Sequence, residues 1–157
     1  MEDIKLILNK SNEFIRRADH MLYMTYPLIR ENKLIITIAD NICNGMIYAM
    51  DSLLMYERYY KRISPYPDEF MIKLDILRKI AVRYNISREH INSILDLKMF
   101  LDERKNSKME FIKNDKYVLF NQKQELKSLG IDKLKQNLNI SKDFVKRIGD
   151  IIANVRT

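Results

Sequence analysis

The sequence predicts an all-α fold: an up-and-down four-helix bundle with a small β-hairpin and two C-terminal helices. Three observations point there. Only three Gly and three Pro occur in 157 residues, too little turn chemistry for a sandwich or barrel. Hydrophobic residues make up 46% of the chain, enough to bury one core in a domain of ordinary size. Apolar residues then recur every seven positions along two long segments, 3–31 and 34–63, as an antiparallel helix pair requires. One domain is expected, with a bundle over 1–106, a hairpin over 107–121 and C-terminal helices over 122–157.

In the first helix three heptad columns lie side by side: Ile4, Ser11, Ala18 and Thr25; Ile7, Phe14, Met21 and Leu28; Leu8, Ile15, Leu22 and Ile29. They form one broad apolar face, with Arg16, Arg17, Asp19 and His20 opposite. Pro27 lacks an N–H and clashes with the preceding turn, so the helix should end or kink near Tyr26. The second helix repeats the scheme through Ile35, Ile42, Ala49, Tyr56 and Ile63. It adds a second stripe of Ile36, Cys43, Ile47, Met50 and Leu54. A helix that is apolar on two faces needs covering twice, either at the centre of the bundle or by a second subunit. Asp40, Asn44 and Asp51 form a polar stripe on it that should face water.

Ser64-Pro65-Tyr66-Pro67-Asp68-Glu69 breaks the chain and should open a third helix, with proline near the first turn and carboxylates at the positive dipole end. That helix runs to about Tyr84 through Phe70, Leu74, Leu77 and Ala81. Ser87 should cap a fourth helix bearing Ile91, Ile94, Leu95 and Leu101. The β-prone runs Met109 to Ile112 and Tyr117 to Phe120 flank four polar residues, a hairpin pattern in which no Asn-Gly or Asp-Gly fixes the turn. Gly130 reads as a helix stop. A short helix over 132–138 and a last one capped by Ser141, with Phe144, Ile148, Ile151, Ile152 and Val155 facing inward, complete the expectation.

The net charge is +7, and its excess grows along the chain. Residues 1–64 carry nine basic against eight acidic side chains, 65–108 nine against seven, and 109–157 ten against six. An anionic partner such as RNA should therefore meet the last third. No stretch of 18 apolar residues occurs and the chain opens Met1-Glu2-Asp3, so a cytoplasmic protein without membrane contact is expected. The single Cys43 reads as a small core residue. One Cys and two distant His offer no metal-ligand cluster, and three scattered Gly offer no phosphate loop, so neither metal nor cofactor is expected.

Two constellations carry chemistry. Arg83 and His90 meet where helices three and four join, and there a guanidinium can hold a phosphodiester while an imidazole moves a proton. Basic side chains interleaved with tyrosines suit phosphates and unpaired bases: Arg58, Lys61 and Arg62 around Tyr59 and Tyr60, and Lys113, Lys116 and Tyr117 in the hairpin. Lys146 and Arg147 extend the basic set onto the last helix. Tyr56, Tyr59 and Tyr60 also fall on the apolar heptad face, where core packing accounts for them.

Over Ser11 to Leu54, roughly a third of the chain, the sequence resembles the HEPN family of helical bundles. The residues that carry this are Ala18-Asp19-His20-Met21-Leu22, Tyr26-Pro27-Leu28-Ile29 and the run from Ile38-Ala39-Asp40 to Ala49-Met50-Asp51-Ser52-Leu53-Leu54. Ser107-Lys108-Met109-Glu110-Phe111 and Tyr117-Val118 look like a segment of uncharacterised archaeal proteins of this build. The resemblance implies a four-helix bundle that pairs as a homodimer with its cleft between protomers, and a connection to RNases, toxins and nucleotide-linked modules. Catalytic members carry an Arg, a polar residue next to it, and a His separated from the Arg by four to six residues. Arg83 and His90 keep that spacing, but Tyr84 stands where the family has Asn, Asp or His; the other register, Arg104 with Asn106, meets Met109, Glu110 and Phe111 where His is required. The expected function is thus a non-catalytic HEPN-like module that binds RNA or an RNA-protein assembly through its basic C-terminal third, paired as a homodimer through helix two. The alternatives are a metal-independent endoribonuclease or toxin using Arg83 and His90, and a structural subunit of a larger complex.

Overall fold

The computed structural model describes residues 1–107 and 109–154; Val155, expected to face inward, lies outside them. The fold is mainly helical. Helix α1 spans Glu2–His20, a π-helical turn Met21–Thr25, α2 Tyr26–Ile29, α3 Asn32–Tyr59, α4 Phe70–Ala81, and α5 Arg88–Lys105. Strands β1 (Met109–Lys113), β2 (Lys116–Phe120) and β3 (Leu126–Gly130) follow, and α6 (Ile131–Ala153) closes the chain.

Helix α3 is the axis, and α1, α4, α5, α6 and β2 pack around it. Its second apolar stripe is covered within the chain: Ile36, Cys43, Met50 and Leu54 are buried, and Ile47 is half-buried against the core. On that side Lys73 of α4 reaches Asp51, and Lys98 and Asp102 of α5 lie near Cys43. The stripe therefore does not call for a second subunit, which removes the sequence argument for a homodimer through this helix. Asp51 likewise faces Lys73 rather than bulk water. Burial pushes the Cys43 thiol up to about 12, so it is an inert core residue.

Helix α1 lies against α3 at a point of close approach. Ser11 Oγ donates to the Gly45 carbonyl at 2.6 Å, and a Cβ on Gly45 would sit 2.5 Å from Ile15 Cδ1. Beyond His20 the heptad fails for a definable reason. Pro27 donates no N–H and its ring crowds the carbonyl four residues back, so the chain widens into a π-turn in which the Tyr26 N–H bonds to the Met21 carbonyl. One extra residue shifts the helical phase. The buried column continues from Ile4, Ser11 and Ala18 to Tyr26 instead of Thr25, and Leu28 and Ile29, expected inside, are 85% and 56% exposed.

Other boundaries also move. Helix α3 ends at Tyr59 with Lys61 at φ 56°, so Ile63 lies outside it and Tyr59 and Tyr60 are exposed. Both prolines precede α4, which starts at Phe70 without acidic residues in its first turn; Lys73 instead pairs with Asp51 and Asp68 and ties the Pro-rich segment down. Ser87 caps α5 as expected.

The hairpin gains a third strand, in the antiparallel order β1-β2-β3. Gly130 is extended at φ −109°, ends β3 and starts α6; it is not a helix stop. Residues 131–153 form one helix of 23 residues where two were expected. Ser141 is buried inside it and donates back to the Leu138 carbonyl, while Asn137 bonds Ser93 of α5. Leu134, Leu138, Phe144, Val145, Ile148 and Ile152 all enter the core. No described helix is long and apolar enough to cross a membrane.

Candidate nucleic-acid interface

The sheet presents an open face. Strand alternation places Tyr117, Leu119 and Leu129 inward, where they are buried. On the other side Met109 pairs with Phe120, Phe111 with Val118 and Lys113 with Lys116, and across the next ladder Phe120 pairs with Leu126, Val118 with Ser128 and Lys116 with Gly130. Met109, Phe111 and Leu126 are 61%, 41% and 66% exposed there. The two-residue turn Asn114-Asp115 has φ of 53° and 59°, the twist that suits a tight hairpin and that Asn and Asp tolerate. It sets Lys113 directly opposite Lys116, a like-charge pair that is unfavourable until an anion shares it.

This face continues into a cleft. A recess of about 420 Å³ on the sheet is lined by Phe111, Lys113, Val118 and Leu126, and it shares Asn114, Lys116 and Ser128 with a neighbouring cleft of about 700 Å³. The cleft lies between the π-turn, α2, the β1-β2 turn and the first turn of α6. Arg30, Lys116, Lys133 and Lys135 line it against Asp115 and Asp132. Tyr23 projects at its edge, 45% exposed, with the Lys135 ammonium 5.7 Å from its ring centre. Tyr26 anchors the turn by donating to Asp115 at 3.1 Å; burial first, then that carboxylate, raises its phenol pKa and keeps it a donor. Gly130 lets the Lys116 stem lie across the strand, since a Cβ there would stand 3.0 Å from Lys116 Cγ. Among the described residues Arg30, Lys113, Lys116, Lys133 and Lys135 are in no ion pair. Aromatic rings and unneutralised cations thus alternate along one surface.

No family model, curated protein or solved structure matches this chain. The reading of the site therefore rests on its own geometry.

The residues singled out from sequence fall into separate places. Lys113 and Lys116 are exposed on the open face. Tyr117 is on the inner face: its hydroxyl donates to Glu110 and accepts from Arg104 at 3.2 Å, and burial followed by the Glu110 bond raises its pKa. It is closed to solvent there, while Phe111, exposed, and Phe120, half-buried, stand on the open face. Arg58, Lys61, Arg62 and Arg83 lie at the far end of α3, about 40 Å away along a helix of 28 residues. Arg58 and Lys61 flank a groove with Asp3, Tyr59 and Tyr66. Lys146 is exposed on α6, while Arg147 is tied to Asp143 at 3.0 Å and to the Asn85 carbonyl at 2.7 Å.

Arg83 and His90 do not share a hydrogen bond or a groove. The Arg83 guanidinium bonds Glu57 at 2.8 Å, and Glu57 is fully buried. His90 occupies the third position of α5, where its Nδ1 accepts from the Ser87 N–H and its own N–H bonds back to Ser87 Oγ, a reciprocal cap. Nδ1 is thus the acceptor, and Nε2 carries the proton to Asp143 at 2.6 Å. Both ring nitrogens are engaged in holding α5 to its cap and to α6.

Alternation along β1 and β2 could have found Phe111 and Phe120, because Met109, Phe111, Val118 and Phe120 share a face once the strands are paired. Nothing local marks Arg30, Lys133, Lys135 or Tyr23, which meet only through the fold.

Proposed function

We propose that this chain is a non-catalytic, HEPN-like RNA-binding module that takes unpaired RNA on the outer face of its sheet and in the adjoining cleft. The observation that carries this is the continuous surface on which Phe111, Phe120 and Tyr23 alternate with Lys113, Lys116, Arg30, Lys133 and Lys135. Rings stack on bases of any sequence, and cations follow the phosphates between them. Every cation of this set except Arg30 belongs to the basic last third of the chain. Duplex RNA fits less well, since its stacked bases are closed to aromatic rings.

The placement of Arg83 and His90 supports the non-catalytic form. A general base needs a free ring nitrogen within reach of the proton it takes, and both nitrogens of His90 already have partners. The test is a mobility assay with a labelled unpaired oligoribonucleotide over a salt series in EDTA. Binding that weakens steeply with salt and leaves the RNA intact is the expected result. Absence of salt-dependent binding overturns the reading, and cleavage abolished by His90→Ala would replace it with the endoribonuclease.

A further inference from the structure

At the opposite end of the molecule, Arg62 and Arg83 are held side by side by one carboxylate. Glu57 is wholly buried at the last turn of α3; its Oε2 accepts from Arg83 Nη1 at 2.8 Å and its Oε1 from Arg62 Nη1 at 3.4 Å. Tyr84 Oη also donates to Oε1 and accepts from Arg62 Nη1 at 3.1 Å. Burial, then the bond and charge of Glu57, raise the Tyr84 pKa, so the phenol stays a donor. Each guanidinium is about half exposed, at 42% for Arg62 and 52% for Arg83, and that of Arg62 also lies over the Tyr56 and Tyr60 rings at 5.6 and 5.0 Å.

Both arginines line a groove of about 850 Å³ whose other lip, at the end of α6, is formed by Asp150, Ile151 and Asn154. Two planar forks fixed by a buried anion are preorganised for a tetrahedral oxyanion. Glu57 cancels one of the two positive charges and Asp150 faces the other across the groove, so the site has little net charge and relies on directed donors. Asp150 and Asn154 opposite supply acceptors, which a bare anion leaves unused and a hydroxyl-bearing ligand fills.

We propose that this groove is a second ligand site, which takes the phosphate monoester of a small polyhydroxylated molecule, a sugar phosphate, with phosphate on Arg62 and Arg83 and hydroxyls on Asp150 and Asn154. It is separate from the sheet surface and independent of the RNA reading. The experiment is a titration of the full chain with ribose 5-phosphate, ribose and inorganic phosphate, read by backbone amide shifts. Saturable shifts at Tyr84, Asp150 and Asn154 with ribose 5-phosphate are expected, with ribose and inorganic phosphate each about tenfold weaker or more. Arg83→Gln should weaken binding by a similar factor. Because that change leaves Glu57 short of a partner and can disturb the fold, Asn154→Ala, on the other lip and outside the clamp, is the second variant and should also weaken the sugar phosphate, with inorganic phosphate unaffected. No saturable shift at millimolar ligand, equal binding of phosphate and ribose 5-phosphate, or indifference to Asn154→Ala overturns the proposal.

Discussion

The two ends of α3 gather positive charge in opposite ways. Near its start, Lys113, Lys116, Arg30, Lys133 and Lys135 have no ion-pair partner among the described residues and stand beside open aromatic and aliphatic surface. Near its finish, Arg62 and Arg83 share a carboxylate with no exposure at all. The first arrangement makes a field that attracts a polyanion; the second spends its charge on a neighbour and keeps only directed hydrogen bonds. With Arg58 and Lys61 the far end holds four cations against five, so counting Lys and Arg does not tell the ends apart. What distinguishes them is that Arg62 and Arg83 already have a buried partner.

The largest effect that would sharpen this contrast is on stability at the far end. Glu57 cannot reach water, whereas Arg62 and Arg83 can, so removing the arginines strands a buried charge and removing the glutamate does not. Arg62→Ala with Arg83→Ala should cost about 3 kcal/mol or more, and Glu57→Gln clearly less, in urea unfolding. Equal losses would mean that the carboxylate is solvated. At the sheet end the same measurement should register little, because the open face is already wet.

Affinity should show the reverse order. Phe111→Ala and Phe120→Ala should each weaken unpaired RNA by about 1 kcal/mol or more, the scale of one lost stacking contact. Lys113→Gln and Lys116→Gln should each reduce the salt slope of binding by about 0.7, as expected for one phosphate contact on a single strand. Charge removal at Arg58 and Lys61 should leave that slope unchanged, since these two flank a groove at the other end with Asp3.

The smallest effect concerns the junction of α5 and α6. Burial alone would raise the Asp143 pKa, but the bonds from His90 and Arg147 outweigh it and hold the carboxyl below its ordinary value of 3.8. A depressed carboxylate contributes stability that is present above its unfolded value and lost as the pH falls through its folded one. Stability should therefore decline below about pH 4, and Asp143→Asn should flatten that decline in acid titrations. An unchanged acid limb would show that this bond is not held in solution.

How much of this was legible in the residues depended on range. The columns of α1 and α3 were readable because packing repeats every seven residues, and the Ser87 cap because its geometry closes within three. The π-turn was half legible: Pro27 marked the break, but whether the helix would stop or widen depends on Tyr26 finding the core. Strand β3 carries no β-branched residue, and its sequence, Leu126 to Gly130, becomes a strand only by pairing with β2. Ser141 looked like a cap because a hydroxyl near a helix start usually is one; burial against the core turned it back onto its own helix. The site was least legible, because its residues come from four segments between Tyr23 and Lys135. Nothing in the sequence singles out Glu57, and only the fold shows that it is shut away from water.

The decisive measurement is amide shift mapping of the full chain with an unpaired oligoribonucleotide at low salt. The expected result is a contiguous footprint over 111–118, 126–130, 23–30 and 131–135, which fades as salt is raised. A footprint confined to 56–62 and 82–85, or none at any salt, would contradict the assignment of RNA binding to the sheet end.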